Sequence, residues 1–219
     1  IGGEPKLQQG TDGFVVKFSS TGSILWTRIF GSSSDDYVED VVTDSTGGIV
    51  IVGYFGSFTH FTSFQGKESN GGLDGFVVKY MSDGEMAWVQ MVGTPSDDTA
   101  HAVSTDELGS VYVTGYTNGS LNGEGFSGQD NLFVTKFSPA GTQHWSRLIV
   151  AHSVHNTTGV VSRGDGVVVL GTTANARSDI LIAKYRSTAD CVGLSHGVDF
   201  ACPAGHYCPE GLQSLDLGR

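Results

Sequence analysis

The chain has 219 residues, 38% of them hydrophobic and only 16% charged, with 32 glycines, which is enough apolar material to bury a core in one large domain or two small ones. A formal net charge of -11, with 12 Lys and Arg that never cluster, argues against binding a phosphate backbone and so against nucleic acid as a partner. No apolar run reaches the roughly 18 residues of a membrane-spanning helix, and the wealth of Gly, Ser and Thr points to an all-β protein rich in turns.

In chain order, the first predicted element is a strand pair within DGFVVKFSSTGSILWTRIFG, residues 12 to 31, and the same pattern returns as DGFVVKYMSDGEMAWVQMVG at 74 to 93. Between them, YVEDVVTD alternates with a period of two and ends in the turn STGG, while IVIVG is apolar throughout, as a strand buried on both faces must be. The second copy supplies TAHAVSTD, VYVTG, FVVKY and MAWVQMV. Aligned on Lys17, Lys79, Lys136 and Lys184, the first three lysines are followed nine residues later by Trp26, Trp88 and Trp145, all the tryptophans of the chain. Both full copies then carry Gly31 or Gly93, Asp36 or Asp98, Asp44 or Asp106, Gly47 or Gly109, and Gly53 or Gly115 at matching spacing. The third copy is worn, with Val150 for the first glycine and VHN for the acidic SDD. Only the connection from the closing glycine to the next lysine varies in length. Four antiparallel strands per unit, apolar on both faces, describe a propeller blade packed between two others. The repeats occupy residues 1–188: a partial blade over 1–31, two complete blades over about 37–92 and 99–149, and an incomplete blade over about 155–188. The last has three predicted strands, at about 155–162, 166–171 and 179–185, because Gly193 stands where tryptophan is due.

The pattern D-x-F-V-x-K-F, G-x-x-x-W, G-x-x-x-D-D, D-x-x-G and V-x-V-x-G resembles the SBBP repeat, a beta-propeller repeat of extracellular and surface proteins, from residue 12 to about 188. The resemblance implies the fold and no single activity. A closed propeller needs about four blades of four strands, so the chain is expected to be a fragment, or an open or incomplete propeller whose other blades precede Ile1.

Candidate chemistry divides into repeated and unrepeated residues. Asp35 with Asp36, and Asp97 with Asp98, offer carboxylates to Ca²⁺, but Ca²⁺ takes six to eight oxygens and a motif repeated in each blade serves the blade first, by capping its turn. Otherwise no cofactor is expected. Trp26, Trp88 and Trp145 suit the wedge between sheets better than a sugar-stacking role. His144, His152 and His155 lie near one another without a carboxylate or cysteine at ligand spacing. No G-x-S-x-G, H-E-x-x-H or Walker loop is present, so no catalytic residue is named.

After Asp190 the alternation stops, and residues 189–219 hold all three cysteines, Cys191, Cys202 and Cys208. C-P-A-G-H-Y-C-P-E-G at 202 to 211 resembles the start of an ephrin-receptor-like cysteine-rich module. Such a short segment depends on disulfides for stability, and the odd count leaves one partner beyond Arg219 or a free thiol. The alternative is zinc, held by the three cysteines with His196 or His206. Asn118 and Asn156 head N-x-S/T glycosylation triplets in expected loops. Together these features predict a non-catalytic, extracellular or cell-surface recognition or adhesion scaffold. The alternative is a propeller enzyme, a glycan hydrolase or lyase or a quinoprotein-like oxidoreductase. Ala100, Ala102 and Ser104, lining a channel, would favour the scaffold. Because a meander reverses at every turn, the variable loops 54–73 and 116–130 are expected on one face with the acidic loops 31–36 and 93–98, opposite the tight turns. Length-variable loops on a rigid frame are where recognition sits, which makes Phe58, His60, Phe61 and Phe126 the expected contacts for a protein or glycan.

Overall fold

The computed structural model describes residues 10–56, 63–121, 131–149, 154–163, 166–173, 180–186 and 191–195. Every regular element among them is a strand. The chain opens with a hairpin of β1 (Gly13–Phe18) and β2 (Ile24–Phe30). Three four-stranded antiparallel meanders follow. The first is β3 (Asp36–Thr43), β4 (Ile49–Gly56), β7 (Leu73–Tyr80) and β8 (Met86–Val92), in that order across the sheet. A small ribbon, β5 (Ser63–Phe64) with β6 (Lys67–Glu68), sits in the connection between β4 and β7. The second meander is β9 (Asp98–Thr105), β10 (Val111–Thr117), β11 (Asn131–Phe137) and β12 (Gln143–Ile149). The third is β13 (Val154–Arg163), β14 (Gly166–Thr173), β15 (Ile180–Arg186) and β16 (Cys191–Ser195).

The nine-residue spacing from Lys to Trp is the register of a hairpin. Lys17 pairs with Trp26, Lys79 with Trp88 and Lys136 with Trp145, and in every case the register shifts one residue past the lysine. The intervening turns close through Gly22, Gly84 and Gly141, each with φ between +82° and +87°, a backbone region that glycine enters without a Cβ penalty.

Apolar residues on both faces of β4, β7, β10 and β11 place each sheet between neighbours. Phe30 of the first hairpin joins Ile49, Ile51, Phe55, Phe64, Phe76, Val78 and Tyr80 in one core, while Val50, Val52 and Val77, on the other face of that sheet, meet Val111, Val113, Phe133 and Phe137 of the next. A third core unites Tyr112, Leu132 and Val134 with Val160, Val167 and Val169. Each buried side chain of this size contributes about 1.5–3 kcal/mol, so the stability of the repeat lies mainly between blades.

Two expectations are corrected. The last unit has a fourth strand: β16 pairs with β15, with Gly193 opposite Ala183. A strand adds to a sheet edge through backbone hydrogen bonds, so the missing tryptophan does not remove it. Ala100 and Ala102 do not line a channel; they are buried in two successive interblade cores, and Ser104 Oγ lies 3.1 Å from Ser162 Oγ on β13. The cause is that β9 is covered on both faces.

Candidate functional site

The repeated residues stitch the two ends of the blades. At the end carrying the tight turns, Trp26 Nε1 donates to Ser82 O at 3.1 Å and Trp88 Nε1 to Pro139 O at 3.0 Å. Lys17 Nζ donates to Ser82 O at 2.8 Å, and Lys79 Nζ to Pro139 O at 3.3 Å. Lys79 also forms a buried ion pair with Asp44 at 2.7 Å. Burial alone pushes the Asp44 carboxyl up, but Lys79, the Thr46 hydroxyl and the amides of Thr46 and Gly48 outweigh it and hold the group at about 2. The tryptophans are therefore half-buried clamps between consecutive blades.

At the opposite end, Asp36 Oδ2 accepts the Ser32 amide at 2.8 Å, and Asp98 Oδ2 accepts the Thr94 amide and hydroxyl. Asp35 Oδ1 accepts the Thr11 amide and hydroxyl at 2.9 Å, and Asp97 Oδ1 accepts the Leu73 amide at 3.1 Å. The first carboxylate of each pair thus ties its loop to the strand pair before it, and the second closes its own turn. Among the described residues no three His, Cys, Asp or Glu gather to hold a metal ion.

Two further carboxyls lie in this end of the molecule. Asp74 Oδ2 accepts the amides of Asn70 and Gly71 at 2.9 and 3.2 Å, and Asp12 lies close enough to Asp36 to act on its charge. Oδ1 of Asp36, Oδ1 of Asp74 and both oxygens of Asp12 are buried without a hydrogen bond. Burial, reinforced by Asp12 and Asp35, pushes Asp36 up to about 6. Burial, reinforced by Asp98, does the same to Asp74. Asp98 is likewise raised by burial. Glycine at 31 and 93 is a packing requirement: a Cβ at Gly31 would strike Asp36 Oδ2, and one at Gly93 would strike Asp74 Oδ1.

Along the same end runs a row of rings. Tyr37 stacks on Tyr54 with centroids 4.9 Å apart and planes 18° from parallel, Tyr54 faces His101 at 6.3 Å, and His101 meets Tyr116 at 5.6 Å. These come from the loop ends of β3, β4, β9 and β10, the first two strands of two consecutive blades. Thr99 Oγ1 lies 2.7 Å from His101 Nε2, and burial pushes the imidazole down, towards its neutral form. Burial and then the nearby Glu39 charge push the Tyr54 phenol up, so it stays protonated. Tyr37, at the end of the row, is 46% exposed. The row is a file of rings packed against one another, open at Tyr37, with the Glu39 carboxylate close to Tyr54.

Among the described residues the start of the connection after β10 lies against the acidic loop, with Asn118 N donating to Asp97 O at 2.9 Å. Phe58, His60, Phe61 and Phe126 lie outside the described residues, as do His152, His196, Cys202, His206 and Cys208. His144 is exposed on β12. Cys191 begins β16 and so belongs to the sheet backbone. Asn118 is half-buried in a bend. Asn156 is not in a loop; it lies in β13, paired with Thr172 as Tyr37 is with Tyr54 and Thr99 with Tyr116, so its position is a strand position in each copy. Sequence reasoning missed the ring row, although the recurrence of Gly-Tyr at 53–54 and 115–116 was a signal for it.

Residues 87–122 match SBBP, a beta-propeller repeat. That propeller repeat runs from the second tryptophan strand through β10 and holds Trp88, Gly93, Asp97, Asp98, His101, Asp106 and Tyr116. A relative, the uncharacterized WD repeat-containing protein L264 of Acanthamoeba polyphaga mimivirus, is 22% identical over 215 residues, spanning 88% of this chain and 15% of the relative. Both similarities concern propeller architecture, and the chain spans only a small part of the relative's length.

Proposed function

We propose that the chain is a non-catalytic recognition scaffold, extracellular or at the cell surface, which binds a protein or glycan on its loop-bearing face. The observation that carries this reading is the row Tyr37, Tyr54, His101 and Tyr116, presented by the first two strands of two blades at the end where the length-variable loops emerge. The half-exposed ring that ends the row, Tyr37, with a carboxylate beside its neighbour Tyr54, suits a sugar, whose apolar face stacks and whose hydroxyls need acceptors. Phe58, His60, Phe61 and Phe126 are the proposed contacts from the loops. Below the row, interblade cores keep the frame rigid, so binding requires little ordering of the scaffold.

An array of oligosaccharides tests this directly. Retained glycans are expected to be lost both in Tyr37→Ala and when residues 57–62 are replaced by a short Gly-Ser segment, with thermal unfolding nearly unchanged; a replacement reaching residue 70 would also take Phe64 out of the core. Retention that survives both changes, and is lost on altering the tight turns at 44–48 and 106–110, would place binding on the wrong face. Cleavage of a retained glycan would move the protein to the enzyme reading. The extracellular setting has its own test, the mass of secreted material: three free thiols at Cys191, Cys202 and Cys208, or stoichiometric zinc, would overturn it.

A further inference from the structure

The hairpin β1–β2 is the third and fourth strand of a blade, as its register shows: Lys17 opposite Trp26 corresponds to Lys79 opposite Trp88 and Lys136 opposite Trp145. Its side chains can therefore be compared position by position with two complete blades. Phe76 and Phe133 are 0% exposed and Tyr80 and Phe137 at most 2%, whereas their counterparts in the hairpin, Phe14 and Phe18, are each 57% exposed. Among the described residues, these core positions have no cover.

The filled junctions show what the cover consists of. Phe76 and Tyr80 meet Phe30 of the preceding tryptophan strand at 6.1 Å, and Tyr80 also meets Trp26. Phe137 meets Trp88 in the same way. The turn glycine beneath each indole is needed for that approach, since a Cβ at Gly84 or Gly141 would come within 2.8 Å of the Trp26 or Trp88 ring. Three donors complete the contact: the indole N–H and the lysine ammonium reach the carbonyl of Ser82 or Pro139, and the side chain two residues past the tryptophan, Arg28 or Gln90, reaches the carbonyl of Gly84 or Gly141. The hairpin has the same turn, with Ser20 and Gly22 at these positions, and around a Cβ at Gly22 there is nothing within 4 Å. Among the described residues β1 pairs only with β2.

We propose that the outer face of this hairpin, Phe14 and Phe18 with the carbonyls of Ser20 and Gly22, is a docking seat for a further blade of the same repeat type, entered by its tryptophan strand. The partner is specified by chemistry: a lysine, a tryptophan nine residues on, and a side-chain donor two residues beyond that. A second copy of this chain does not meet the specification, because Gly193 occupies the tryptophan position of its last blade and Trp145 is already packed into the core between the second and third blades.

A tandem duplication of residues 12–73 within the full chain tests the seat, because it presents the added Trp26 to the original hairpin and supplies β1 with the first two strands of a blade, counterparts of β3 and β4. The duplicated chain is expected to melt higher than the parent. Phe18→Ser in the original hairpin should lower its melting temperature by about 5 °C or more while moving the parent by about 2 °C or less. Hydrogen exchange at the original β1 amides should slow to that of β7. The Trp26→Ala substitution in the added copy should abolish both effects. Equal, small effects of Phe18→Ser in the two chains, or unchanged exchange, would overturn the proposal. A duplicated chain that does not fold, both with the natural connection and with a Gly-Ser one, counts against it equally. Sedimentation of the parent as a dimer that Phe18→Ser dissociates would assign the face to a second copy instead, and so would also overturn it.

Discussion

Replacing Asp74 with asparagine is expected to stabilise the protein near neutral pH and to leave it unchanged in acid. Asp74 is fully buried, its Oδ2 accepts two backbone amides, and its Oδ1 has no partner. Burial and the Asp98 charge raise its pKa from 3.8 to about 6. A carboxyl whose folded pKa is raised contributes most below its unfolded value, and that contribution disappears as the pH rises through the folded one. Between pH 4 and 7 the folded state therefore loses on the order of 3 kcal/mol, since each pKa unit corresponds to about 1.4 kcal/mol. Asparagine keeps an acceptor for Asn70 and Gly71 and cannot ionise, and the third unit already carries Asn131 at this position. Asp74→Asn should consequently raise the melting temperature at pH 7.5 by about 5–10 °C, change it little at pH 4.5, and flatten the pH dependence between. Calorimetry at the two pH values measures this. Equal destabilisation at both would show that the carboxyl, in its charged form, is a stabilising member of the turn, and the reasoning would be refuted.

Lys79→Met should cost about 3–5 kcal/mol near neutral pH, because it leaves Asp44 buried without its ion pair; denaturant unfolding measures it, and the loss should shrink as the pH falls, because Asp44 without its lysine takes up a proton at a higher pH than in the parent. Trp88→Ala should cost about 2 kcal/mol or more through the lost contact with Phe137, whereas Trp88→Phe should cost only about 1 kcal/mol for the missing bond to Pro139. A Trp88→Ala cost below about 0.5 kcal/mol would mean that the indole does not clamp the blades. Tyr37→Ala should change stability by less than about 1 kcal/mol, since the ring is nearly half exposed, while removing glycan retention.

Much of the frame was readable in the sequence, and for a physical reason. The two-residue alternation, the apolar runs and the turn glycines are local consequences of strand geometry, and the Lys to Trp interval is a hairpin register written as a number of residues. The meander's reversals likewise put the acidic turns and the variable connections at one end. The fourth strand of the last unit escaped notice because its ladder is made by backbone groups, which leave no mark in side-chain identity.

What the sequence by itself determined is the repeated strand pattern and the end of each blade at which loops emerge. Only the tertiary structure decided what the repeated residues do. Lys79 and Trp88 converge on one carbonyl of the following blade, Pro139 O, from positions 60 and 51 residues away in the chain. Tyr37, Tyr54, His101 and Tyr116 become a row because β9 packs against β3 and β4. The pKa values of Asp36 and Asp74 depend on how much water the neighbouring blade removes. All three are properties of the space between blades, and that space is set by packing between segments distant in sequence, which local pattern does not encode.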